Sequence, residues 1–331
     1  MRKGLGLSIL VLGIAAVCAI LISKHSPTAK APDHRKEKQE RPAAPPTGNS
    51  PPDQQAFYAT YRIIDPEKKI EALEKFLQDF PDSSQIGSAK RGIFTATVKK
   101  WPGERKRIME AAGKLIHPPA EPGAKTANVP ENQFIATELL TAGILLDDAE
   151  NFALKSLEDL NKERFTENMK KTYAEWKKTM PTKAMPSDEV VNERYIAERA
   201  AYKTTLGSIY MKEGKTTEGE KTLREAYEAD PLLSPAAEGL AEIAEKKGDL
   251  AAALDYLVTA TLTAGHGTKD TRSRFEALYR KAHKGSIQGI EATLDARYKK
   301  LFPNPIKAEP YKPSSSRSDR VVLAESFTGA G

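Results

Sequence analysis

The feature that most constrains the fold of this chain is an internal repeat of 34 residues. The clearest copies are residues 200–233 and residues 234–267. Seven positions align between the copies, and all but Tyr210 with Ala244 agree in residue type or size: Leu206 with Leu240, Gly207 with Ala241, Tyr210 with Ala244, Gly214 with Gly248, Gly219 with Ala253, Leu223 with Leu257 and Ala226 with Ala260. A period of this length indicates a stack of helical hairpins, in which each hairpin buries its apolar face on its neighbours.

The repeated residues have physical roles in a pair of packed helices. Gly207 and Gly219 are small, so the two helices of a hairpin can approach closely. Gly214 permits the left-handed backbone that ends the first helix. Thr217 with Glu220 predicts a capping box at the start of the second helix. This combination of spacing and residue types is that of the tetratricopeptide repeat.

Two copies alone do not bury their faces, so flanking helices must complete the stack. Further helices are predicted from Pro66 to near Pro81, and at residues 86–99, 132–146, 149–160, 271–284 and 286–301. The first of these has Asp65 as its N-cap and a proline in its first turn. Leu154 and Tyr298 are among the side chains predicted to face inward. The sequence therefore predicts an all-α, tetratricopeptide-like solenoid over residues 56–302.

Residues 1–25 predict a transmembrane helix that acts as a signal anchor. Met1, Arg2 and Lys3 precede an apolar run of 18 residues from Leu5 to Ile22, which spans about 27 Å at about 1.5 Å per residue. The positive residues predict a single-pass protein of the inner (cytoplasmic) membrane, with most of the chain in the periplasm or outside. A cleaved signal peptide is the alternative, and the chain is then secreted.

Residues 26–55 predict a disordered, proline-rich tether between the membrane and the repeats. This segment holds seven prolines and almost no large apolar residue. Such a composition cannot bury enough apolar surface to offset the entropy lost on folding.

The sequence shows no motif of a catalytic, metal or cofactor site. The five histidines have no metal-ligand spacing, and the single cysteine, Cys18, lies in the N-terminal apolar run. The net charge of +6 is spread over 331 residues, without the dense basic stripe and interleaved aromatic residues that nucleic-acid binding needs. We therefore expect no enzyme in the chain as written, no cofactor and no nucleic-acid partner.

Stacked helical hairpins present a concave surface that commonly binds other proteins. On the first helices of the two clear copies, the exposed positions hold charged residues: Lys212, Glu238, Glu242, Glu245 and Lys246. We predict that these residues contact a protein partner. A merely solvated face is the alternative.

The C-terminal residues differ in pattern from the rest of the chain. Residues 303–319 predict a linker, and Arg320 to Phe327 alternate in polarity and are rich in β-forming residues. A single strand after an all-helical region has no sheet to join.

This strand and three earlier segments resemble bacterial membrane-anchored thioredoxin-like (TlpA-type) proteins that carry helical repeats before a redox domain. The matching stretches are Leu145–Glu150, Ala277–Lys281, Leu294–Tyr298 and Arg320–Gly331. The resemblance implies that residues 320–331 begin a truncated thioredoxin-like domain. It also implies that a full-length form is a thiol–disulfide oxidoreductase, with its Cys-x-x-Cys directly after this strand. No residue present here can inherit that catalytic role.

Three explanations for the end at Gly331 stay open: a truncated reading frame, a UGA codon for selenocysteine taken as a stop, and a complete scaffold. Two functions follow from them. The first is a membrane-anchored, envelope-facing helical-repeat scaffold for protein–protein interaction. The alternative is the N-terminal portion of a thiol (or selenol)–disulfide oxidoreductase truncated before its redox motif.

Overall fold

The computed structural model describes residues 50–116, 129–180, 184–263 and 269–303, all within one compact unit. Every regular element in these ranges is helical, which confirms the predicted all-α class. The membrane segment predicted at residues 1–25, most of the tether and the strand predicted at residues 320–331 lie outside the described residues. Among the helices that are described, none combines the length and apolar character needed to cross a bilayer.

Thirteen α-helices follow one another along the described chain. Their bounds are α1 (Pro52–Ala59), α2 (Pro66–Asp79), α3 (Ile86–Lys100), α4 (Arg105–Gly113), α5 (Val129–Ala142), α6 (Leu146–Asp159), α7 (Lys162–Thr179), α8 (Asp188–Lys212), α9 (Thr216–Ala229), α10 (Ser234–Lys246), α11 (Leu250–Thr263), α12 (Lys269–Ala282) and α13 (Ile290–Leu301). A single 3-10 turn, Thr60–Arg62, follows α1.

The helical region begins earlier than predicted. Helix α1 starts at Pro52, inside the tether predicted for residues 26–55, and it buries Phe57. Proline fits the first helical turn because the N–H that it lacks has no partner there. The prolines that indicated a tether are therefore also compatible with this helix start. At α2 the prediction is confirmed, since the Asp65 side chain accepts a hydrogen bond from the Lys68 backbone N–H at 2.9 Å.

Consecutive helices pack as hairpins, and the hairpins stack. The pairs are α2 with α3, α5 with α6, α8 with α9 and α10 with α11. Successive hairpins meet where α6 packs on α8, α9 on α10 and α11 on α12. Helix α13 also packs on α11, with Ile290 and Leu294 buried in the same cluster as Phe275. The predicted stacking of helical hairpins is thus confirmed for the described residues.

The residues of the 34-residue repeat adopt the predicted conformations. Gly214 and Gly248 have φ of +80° and +77°, and Leu223 and Leu257 are completely buried. The predicted capping box is wrong, because α9 begins at Thr216 and no side chain caps it. The Lys215 backbone N–H donates to the Tyr210 carbonyl at 2.9 Å, which closes the turn between the two helices. Because α9 begins at Thr216, Thr217 already lies inside the helix and is not at its N-cap.

Two inward-facing predictions and several helix boundaries differ from the structure. Leu154 and Tyr298 are 42% and 43% exposed. The buried face of α6 is made of small side chains, Ala149, Ala153 and Ser156. The helix predicted at residues 132–146 ends at Ala142, because Gly143 and Leu145 adopt left-handed backbone with φ of +69° and +48°.

Helices α7 and α8 depart from the regular repeat. Helix α8 is 25 residues long, whereas α9 to α12 have 13 or 14 residues. Its first half packs against α7, a helix that was not predicted from the sequence. Phe165 of α7 lies 5.7 Å from Tyr195 of α8, measured between ring centroids, and Lys170 pairs with Asp188 at 3.4 Å.

Candidate protein-binding surface

The predicted partner-binding residues lie on α8 and α10, the first helices of two consecutive hairpins. Lys212 is the last residue of α8, and its Nζ donates a hydrogen bond to the Leu140 carbonyl oxygen at 2.6 Å. Leu140 is in the last turn of α5, where carbonyl groups have no partner within the helix. Lys212 therefore caps the first helix of the preceding hairpin and interacts favourably with its dipole.

Two of the predicted residues on α10 face the next hairpin. The Glu238 carboxylate accepts a hydrogen bond from Thr271 Oγ1 at 2.6 Å, and the Glu245 carboxylate pairs with Arg274. Thr271 and Arg274 both belong to α12. These acidic residues thus hold two first helices together, and a partner could use them only at the expense of those contacts.

The other two predicted residues form an exposed pair. Glu242 and Lys246 are four residues apart on α10, with Oε1 and Nζ separated by 2.7 Å and side chains that are 55% and 63% exposed. In the described part of the chain, neither forms an ion pair with any other residue. An exposed pair of this kind contributes about 0.3–0.5 kcal/mol, so a partner can compete for both charges at little cost.

A row of cations crosses three consecutive first helices. Lys212, Lys246 and Arg280 are spaced by 34 residues and all three are exposed. Arg280 has no ion-pair partner within residues 50–303 as far as the structure describes them. Helix α8 contacts α10, and α10 is joined to α12 by the contacts of Glu238 and Glu245. Arg280 was not among the predicted residues, although an extension of the 34-residue period beyond residue 267 identifies it.

The acidic residues beside this row are neutralised within the fold. Arg272 donates to Glu276 at 2.6 Å and to Glu291 of α13 at 2.7 Å. These two hydrogen bonds raise the pKa of Arg272. Because Glu276 and Glu291 are engaged in this way, the exposed end of α12 keeps the positive charge of Arg280.

A cleft of about 660 Å³ opens between α11, α12 and α13. Apolar side chains that line it are Leu254, Val258, Phe275, Ala292 and Ala296, and charged groups at its edge are Asp255, Arg297 and Lys300. His283 stacks on Tyr279 with ring centroids 3.9 Å apart. Its Nδ1 lies 2.8 Å from the Tyr279 carbonyl oxygen, which can only accept, so Nδ1 carries a proton and the contact anchors the ring.

Within the described ranges, no three His, Cys, Asp or Glu side chains are grouped so that they could hold a metal ion. The surface with exposed charges at repeat intervals is accordingly the candidate site that the geometry presents. No protein-family model matches the chain, and no curated protein matches it in sequence.

Proposed function

We propose that this chain is a membrane-anchored, envelope-facing helical-repeat scaffold, which binds a partner protein across the first helices of its stack. The observation that carries the proposal is the row of Lys212, Lys246 and Arg280, an exposed cation at the same repeat position of three helices. The anchor rests on the apolar run in residues 1–25. The alternative, the N-terminal portion of an oxidoreductase, depends on residues 320–331, which lie outside the described residues, and it stays a prediction.

The spacing of the row favours an extended, acidic partner segment. Packed helices lie about 8–10 Å apart, and an extended chain advances about 3.3 Å per residue. A partner with a carboxylate at about every third residue could therefore place one on each of the three cations. Each exposed ion pair contributes about 0.2–1 kcal/mol, so we expect the complex to need several contacts and to weaken as salt is raised.

A photocrosslinking amino acid tests the proposal in cells that contain the partner. The full chain carries the crosslinker at Glu242 on α10 or, as a control, at Glu228, which is exposed on α9 and has no ion pair with a described residue. We expect a specific adduct from position 242 and none from position 228. Arg280→Glu should reduce that adduct. Equal adducts from both positions, or an adduct unaffected by Arg280→Glu, would show that this face is not the binding surface.

A further inference from the structure

Exposed apolar side chains are concentrated in the pair formed by α7 and α8. Of the 11 large apolar side chains that are exposed among the described residues, five lie between residues 176 and 196: Trp176, Met180, Met185, Val190 and Ile196. Such a concentration on a protein surface commonly marks a contact with another protein or with a membrane.

The apolar stripe of α7 loses its cover toward the C-terminal end of the helix. Phe165 packs on Tyr195, and Tyr173 is 9% exposed. Trp176 and Met180 continue the same stripe at helical spacing, but they are 39% and 45% exposed. The Trp176 ring lies 5.1 Å from that of Tyr173, so it contacts the buried part of the stripe on one side and solvent on the other.

The end of the hairpin opposite the stack combines this apolar surface with positive charge. Residues 170–180 contain four lysines and one glutamate. Lys170 and Lys171 pair with Asp188 and Glu167. Lys177 and Lys178, in the last turn of α7, are exposed and have no ion-pair partner among the described residues.

We propose that this surface, here called the α7–α8 tip and defined by residues 176–180 and 185–190, rests on an anionic lipid surface. Tryptophan prefers the membrane–water interface, where its ring is apolar and its N–H stays hydrated. Lys177 and Lys178 lie between Trp176 and Met180 in the sequence and supply the attraction to anionic headgroups. The acidic residues of the tip, Asp188 and Glu189, occupy the first turn of α8, where the helix dipole stabilises them.

A protein partner fits this surface less well. The core of a protein interface is depleted of charged residues, whereas the tip has lysines directly beside its exposed tryptophan. The lipid contact is separate from the proposed function, because the tip contains none of the residues of the cation row. It would set the orientation of the repeats above the membrane.

The test uses the full chain with Trp101→Phe, which leaves Trp176 as the single tryptophan. Vesicles of phosphatidylcholine are compared with mixed phosphatidylcholine–phosphatidylglycerol vesicles, both containing lipids brominated near the headgroup. Because the N-terminal segment can bring the whole chain to any bilayer, the readout is the surroundings of Trp176. We expect blue-shifted emission and bromine quenching in the anionic vesicles, reversed by added salt.

Charge reversal at the tip supplies the matched comparison. Lys177→Glu with Lys178→Glu should reduce quenching in anionic vesicles to the level in neutral ones. The control, Arg280→Glu with Lys281→Glu, makes the same change in the last turn of α12 and should leave the quenching unaltered. Circular dichroism verifies that each variant stays helical. Emission that is the same in both vesicle types, or that responds to protein concentration instead of lipid, would overturn the proposal.

Discussion

Gly207 of α8 lies directly against Leu223 of α9. A Cβ atom on Gly207 would be 2.8 Å from Leu223 Cγ and 3.1 Å from the Leu223 backbone nitrogen. Leu223 is completely buried and packs with Leu240 and Ile243 of the next hairpin. The contact therefore determines how closely the two helices approach and, through Leu223, how the next hairpin packs.

Replacement of this glycine should destabilise the fold. For Gly207→Ala, overpacking costs about 1–3 kcal/mol, and the better helix propensity of alanine offsets about 1 kcal/mol. We expect a net loss of about 1 kcal/mol, measured by urea unfolding followed by circular dichroism. Gly87→Ala is the control, since a Cβ there meets nothing within 4 Å. It should be neutral or stabilising, and equal effects of the two substitutions would contradict the argument.

Substitutions of the turn glycines should affect stability in a different way from Gly207→Ala, because these positions are constrained by backbone conformation and not by a close contact. Gly248 has φ of +77° and open space around a hypothetical Cβ. Gly248→Ala should cost about 1–2 kcal/mol, the penalty for an L-residue in left-handed backbone. Gly248→Asn should cost less, because asparagine tolerates this conformation better. Thermal unfolding of both variants tests the order, and a more stable alanine variant would exclude the strain explanation.

Asn132 offers a substitution that should stabilise the protein. Its side chain is completely buried, and neither its amide nitrogen nor its oxygen has a hydrogen-bond partner among the described residues. A buried polar group without a partner costs about 1–3 kcal/mol. Asn132→Leu has a similar shape and should raise the free energy of unfolding by about 1 kcal/mol. Asn132→Ala, which leaves a cavity, should not, and loss of stability in the leucine variant would indicate that the amide is bonded in solution.

The ion pairs of Glu220 should make stability depend on pH in the acid range. A hydrogen bond from Lys247, supported by Arg224, lowers the pKa of the Glu220 carboxyl below its ordinary value of 4.5. A group with a lowered folded pKa stabilises the fold above its unfolded pKa, and this stabilisation disappears as pH falls through the folded pKa. The stability difference between wild type and Glu220→Gln should be full above pH 4.5 and shrink below it.

Unfolding curves at several pH values measure this difference. Glu228→Gln serves as the control, because Glu228 is exposed on the same helix and pairs with no described residue. The stability of this variant should equal that of wild type at every pH. A stability difference for Glu220→Gln that stays constant down to the acid transition would mean that the ion pairs do not contribute.

The regular part of the fold could be predicted because its constraints are local. Gly214 and Gly248 mark turns that only a left-handed backbone can make, and Leu223 and Leu257 mark the buried seams. By contrast, α7 was not predicted although Phe165, Tyr173 and Trp176 recur at helical spacing, because these few apolar residues stand among many charged ones. The inward face of α6 was missed for a related reason: Ala149 and Ser156 give a weak hydrophobic pattern, although close packing selects small side chains there.

The candidate site was predicted less completely, because exposure alone does not tell which charges are free. Glu238 and Glu245 occupy exposed positions of an isolated helix, but α12 supplies partners for both. Lys212 is used as a cap by α5, a helix that lies about 70 residues earlier in the chain. Only tertiary structure separates Glu238 and Glu245 from Glu242 and Lys246, and shows that Lys212 makes a capping contact while it remains exposed.

Helix α8 runs without interruption from Asp188 to Lys212, a length of about 38 Å at about 1.5 Å per residue. One end belongs to the α7–α8 tip, and the other is at Lys212, five residues after Gly207. An unbroken helix of this length transmits a change of tilt from one end to the other. Any tilt imposed at Val190 must turn Lys212 and the hairpins packed on it, so a force on one end becomes a change of angle at the other.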